Sequence, residues 1–126
     1  MKQIVISALL LLGLFAACLA HGFYVSSVTE DVITRLEEAH KDAEQGQWDL
    51  AGGQLQSAQQ LWEELSGYLH TTLQHRDVDN VDLTFRETAQ FLNSQKWGEF
   101  SAANARLMEQ LTLLGGAEQL TLQNVL

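Results

Sequence analysis

The chain contains no proline, has one cysteine, and carries 7 basic residues against 16 acidic ones. Each shortage excludes something. Without proline, no residue removes a backbone donor, so helices can run uninterrupted. With Cys18 alone, no internal disulfide can form, and the fold must be held by its core. Of the few cations, Lys2 lies ahead of an apolar run, whereas every Asp and Glu lies beyond residue 20. A surface that acidic repels nucleic acid and anionic lipid headgroups, so neither is an expected partner of the folded part. No Gly-rich phosphate loop and no Gly-x-Ser-x-Gly elbow occurs. The lone thiol lies in the apolar N-terminus, which leaves nucleophilic catalysis without support. The pattern implies no catalytic residue and no cofactor.

What is present begins with IVISALLLLGLFAACLA, residues 4–20, a run of 17 residues without a charge. Gly22-Phe23-Tyr24-Val25 extends it. A cleaved signal peptide has a shorter apolar region, of about 7 to 15 residues. From Ile4 to Val25 a helix would be about 33 Å long, enough for a hydrocarbon core of about 30 Å. Phe23 and Tyr24 stand where an interfacial aromatic belt would be. Lys2 and the terminal amine flank one side, Glu30 and Asp31 the other. That asymmetry orients the N-terminus to the cytoplasm and the rest outside. Two rivals stay open: Cys18-Leu19-Ala20 before His21 has the small-x-small look of a cleavage site, and Phe15-Ala16-Ala17-Cys18 approximates a lipobox that would lipidate Cys18. The adopted reading is a single-pass cell-membrane protein. Residues 1–24 are its anchor, crossing the bilayer through residues 4–25, and residues 25–126 are one extracytoplasmic helical domain.

Beyond the anchor, Val25, Val28, Val32, Leu36, Ala39 and Ala43 recur at spacings of three and four, one face of a helix. The anchor should therefore continue as one helix to about Glu44, with Gly46 as the stop. Next, Trp48, Ala51, Leu55, Ala58, Trp62, Leu65 and Leu69 follow an a/d heptad. Trp97, Phe100, Asn104, Leu107, Leu111 and Leu114 follow it again at an offset of 49. This predicts a duplicated αα-hairpin with coiled-coil-like packing. Each Trp (Trp48, Trp97) buries its ring at a closed end, Ala51 and Trp62 sit in the core, and Phe100 follows Trp97. Asn104 at an a position can fix register or partner number. Val81, Phe85, Thr88, Ala89 and Leu92 give the intervening helix its apolar face. Gly115-Gly116 should end the last helix, with Leu120, Leu122, Val125 and Leu126 packing back. The fold class is all-α: a transmembrane helix continuing into an antiparallel bundle of about four helices.

Chemistry is sparse. His75 with Asp77, Asp79 and Asp82 is the most metal-like cluster. It lacks the glycine and distal Glu of a calcium loop, and it has no second nearby imidazole for zinc. It reads as an acidic turn, with Asp79-x-x-Asp82 or Thr84-x-x-Glu87 capping a helix. Glu37-x-x-His40 is half of a di-iron signature whose second copy is missing. Gly46-x-Trp48-x-x-Ala51-x-x-x-Leu55-x-x-Ala58 resembles the inter-helix turn of a tetratricopeptide repeat, which would make a peptide or small-ligand groove the alternative function.

Taken in order, these features resemble a family. They are the Lys-bearing short N-terminus, one membrane helix, the Trp48-x-x-Ala51 turn, Trp62, His75 with Asp77-Val78-Asp79, and the closing Leu122-Gln123-Asn124-Val125-Leu126. The chain is similar to domain-of-unknown-function family 4363, small single-anchor helical proteins of Gram-positive, largely spore-forming bacteria. The resemblance implies an uncleaved anchor, no catalytic residue, and a membrane protein as partner. The expected function is a non-enzymatic accessory or scaffold subunit, acting with another membrane protein or by self-association.

Overall fold

In a computed structural model, the backbone is described for residues 1–69 and 75–125 and the side chains for residues 1–68 and 76–116. Four helices follow one another: α1 Lys2–Glu44, α2 Trp48–Leu69, α3 His75–Asn93 and α4 Trp97–Val125. α1 has 43 residues, about 65 Å of unbroken helix. Its surroundings change along its length. Residues 1–20 are exposed throughout, whereas Gly22, Val25, Thr29, Val32, Leu36, Ala39 and Ala43 are buried. The apolar half is exposed, and the second half is a strut of the bundle. The expected end near Glu44 is where α1 stops.

The two hairpin turns share one backbone geometry, which gives the 49-residue offset a structural meaning. After α1, Gly46 takes a left-handed φ of 78°. The Gly46 N–H donates to the Ala43 carbonyl and the Gln47 N–H to the Asp42 carbonyl. After α3, Gln95 takes a φ of 54°. The Gln95 N–H donates to the Leu92 carbonyl and the Lys96 N–H to the Phe91 carbonyl. Both are Schellman turns, in which two otherwise orphaned carbonyls at a helix end gain donors. The bonds that restart the chain also correspond, from Ala51 to Gln47 and from Phe100 to Lys96. The first copy has glycine at the left-handed position and the second has glutamine.

Each helix packs on its neighbours in chain order, and α4 closes the ring against α1. The pairs run antiparallel: the Asn104 amide meets the Leu36 carbonyl, and Gly115 lies against Thr29. The core takes up most of the heptad positions of the sequence, the side chain of Leu69 lying outside the described residues. Val25, Val32, Leu36, Ala51, Leu55, Ala58, Trp62, Leu65, Phe85, Phe100, Leu107 and Leu111 are all buried. A fully buried side chain of the Val, Leu or Phe kind contributes about 1.5–3 kcal/mol. Buried Thr29, Thr84 and Thr88 bring hydroxyls into this core at little cost. Each donates to the carbonyl four residues earlier, on Val25, Asn80 and Thr84.

Two expectations are corrected. Gly115-Gly116 does not end the last helix, since α4 runs through both to Val125. Glycine weakens a helix but stops it only where the backbone turns left-handed, and neither glycine has a positive φ. The expected packing of Leu120, Leu122, Val125 and Leu126 lies outside the described side chains. Nor is the acidic run a turn: Asp77, Asp79 and Asp82 lie inside α3, and neither Asp79 nor Thr84 caps it. Val78, Val81 and Phe85 on one helical face are buried, and their burial overrides the weak helix propensity of Asp and Asn.

Candidate functional site

The metal-like residues do not converge. Asp77 and Asp79 are exposed on α3. Asp82 is turned to the core edge, where its carboxylate accepts the Trp62 indole N–H at 2.6 Å. The side chain of His75 lies outside the described residues. Among the described residues, no three His, Cys, Asp or Glu side chains group as a metal site. His40, of the half di-iron signature, sits against Trp97 with ring centroids 5.0 Å apart. Cys18 is a free, exposed thiol on the apolar half of α1.

The structural anchors are placed unevenly. Ala51, Trp62 and Phe100 are buried as expected. Trp62 stacks on Phe85 at 6.3 Å, which ties α2 to α3. Trp48 is half-buried and meets Phe100 edge-on at 6.0 Å. Trp97 departs from the expectation of a buried plug, being 38% exposed. It comes first in its helix, after a turn, and its ring meets those of His40 and Phe100. Trp62 packs with Phe85, whereas Trp48 and Trp97 both lie against Phe100. The tetratricopeptide-like turn joins two helices of the four-helix ring.

Asn104 is fully buried, and its amide donates to the Leu36 carbonyl at 2.9 Å while its own carbonyl has no partner. This contact ties α4 to α1 within the chain.

Three further features escape sequence reasoning. Where α1 leaves its apolar half, His21 and the Tyr68 hydroxyl are hydrogen-bonded at 2.5 Å. Tyr24 meets the Tyr68 ring edge-on at 5.3 Å. This aromatic collar joins α1 to the end of α2, and only the antiparallel packing brings positions 47 residues apart together. An exposed Arg106–Glu87 ion pair links α4 to α3. Between α1 and α4, next to the collar, runs an open groove. Thr29 and Gly115 are on its floor, with Ser26, Glu30, Ile33 and Thr112 along its walls. The groove would have been visible in the sequence only by pairing the small residues at 115 and 116 with the first helix, which needs the register.

These features define an all-α protein in which one helix is both an apolar, membrane-length segment and a strut of a four-helix ring. The chain belongs to the DUF4363 family, whose model, described as a domain of unknown function, matches residues 19–125. No curated protein and no solved structure matches it.

Proposed function

We propose that this protein is a non-enzymatic, membrane-anchored accessory or scaffold subunit. The apolar run that begins at Ile4 crosses the cell membrane uncleaved, with the N-terminus in the cytoplasm and the bundle outside. The observation that carries this reading is the continuity of α1. Its exposed apolar half is long enough for a bilayer, and its other half is locked into the core by Val32, Leu36 and Ala39. Such a rod holds the bundle at a fixed height and angle over the membrane, which suits a part that positions a partner. The absence of catalytic motifs in the sequence agrees with this role. Extracting the full-length chain in mild detergent and weighing the intact complex tests it. A mass that includes a second membrane protein is expected. A protein recovered alone, as a monomer, overturns the proposal. Protease added to intact cells should digest the bundle, whereas full protection would reverse the orientation.

A further inference from the structure

We infer that the α1–α4 groove seats a helix of a second membrane protein, one that leaves the bilayer beside the anchor and carries Lys or Arg in its first turns outside. This deepens the accessory-subunit reading and rests on it. The groove begins at Ser26, about 6 Å along the helix from Gly22, where burial in the bundle begins. A helix emerging next to the anchor runs past this groove, which lies at the collar end of the bundle. Its floor and walls are small: Gly115, Gly116 and Ser26 let a second backbone come close.

Charge selects the occupant. Glu30 lines the groove, and Glu37 lies two turns along the same exposed face of α1. Exposed Glu109 stands one turn from Thr112 on α4. No Lys or Arg is among the lining residues, and the nearest cation on α4, Arg106, is held by Glu87 on the α3 side. The acidity extends around this end. Glu30, Asp31, Glu63, Glu64, Asp77, Asp79, Asp82 and Glu109 lie on the collar-side turns of the four helices, with Arg76 among them and Arg35, Arg86 and Arg106 at the middle. A second copy of this chain would set carboxylates against carboxylates, and anionic headgroups would be repelled. A basic helix is complementary. Lys and Arg are scarce on the outer flank of membrane spans, so a basic stretch there is a distinguishing mark.

The test places p-benzoylphenylalanine at Thr112 in the full-length chain, irradiates intact membranes, and sequences the cross-linked peptide. The same photo-probe at Gln60, exposed on α2, serves as the control. The expected adduct is a peptide that adjoins a membrane span and carries basic residues. Its yield should fall about tenfold in the double variant Glu30→Lys/Glu109→Lys, while the thermal unfolding of the bundle is unchanged. An adduct with a second copy, adducts with lipid alone, no adduct, or a yield indifferent to the charge reversal would each overturn the inference. The intact-complex mass separates the two claims. If it still exceeds the monomer while Thr112 captures nothing, the accessory reading stands and the groove falls.

Discussion

The Trp62–Asp82 contact offers the sharpest test of how this core is built. Trp62 is 1% exposed, and its indole N–H is directed at a half-buried carboxylate 2.6 Å away. Replacing Asp82 with Ala removes a charged acceptor and strands a buried donor. A hydrogen bond to a charged group is worth about 1.5–3 kcal/mol, and a stranded donor keeps its desolvation cost. We expect a loss of about 2 kcal/mol, which in a bundle of roughly 100 residues lowers Tm by about 8–16 °C. Asp82→Asn keeps an acceptor and should lose about half as much. Trp62→Phe removes the donor and shrinks the ring, at about 1–2 kcal/mol. In that background Asp82→Ala should change little, because no N–H remains to strand. The assay is urea unfolding of the full-length chain in detergent micelles, followed by far-UV circular dichroism, for the wild type, both single variants and the double variant. A coupling of about 1.5–2 kcal/mol is expected from the cycle. If Asp82→Ala costs the same whether residue 62 is Trp or Phe, the indole does not depend on this carboxylate and the argument fails.

Other predictions follow from the same geometry. Gly46→Ala should lose about 1 kcal/mol, because φ is 78° there, and Gln95→Gly should gain up to about 1 kcal/mol at φ 54°. The shift in urea midpoint reads both, and opposite signs are required. Gly53→Ala should stabilise α2 by up to about 1 kcal/mol, since a methyl there meets nothing within 4 Å. Gly115→Leu should destabilise by about 1–3 kcal/mol, because a Cβ there already stands 3.5 Å from Thr29 Cγ2. Thermal melts of the two glycine variants should therefore move in opposite directions. Mass spectrometry of the mature protein should find residues 1–20 attached and Cys18 unmodified; a mature N-terminus at Cys18 or His21 would refute the uncleaved anchor.

Much of the fold was legible because helical burial is periodic. Val25 to Ala43 on α1 and the two heptad series on α2 and α4 mark the faces that the ring buries. Gly46 was readable as a stop because only glycine adopts its backbone freely. Its counterpart Gln95 was not, since glutamine carries no such signal, and the second Schellman turn shows only through its hydrogen bonds. The acidic run of α3 misled for a related reason. Asp and Asn favour turns locally, and the weight that holds Asp77 to Asp82 in a helix comes from Val78, Val81 and Phe85 packing on other helices. Trp97 misled in the opposite direction: heptad position predicts a buried face, but a helix's first residue at the end of a bundle has too few neighbours to cover an indole.

What the sequence determined alone is whatever depends on one helix at a time: the membrane-length apolar segment, the absence of an internal disulfide, the helical faces and the acidic surface. What tertiary structure decided depends on register between helices. The His21–Tyr68 collar, the Asn104–Leu36 lock, the Trp62–Asp82 bond and the α1–α4 groove each join residues at least 20 positions apart. Periodicity fixes which side of a helix faces inward, but not how far one helix slides along another. That choice was made by the fit of Thr29 to Gly115 and of Trp62 to Phe85, and the groove is a consequence of it.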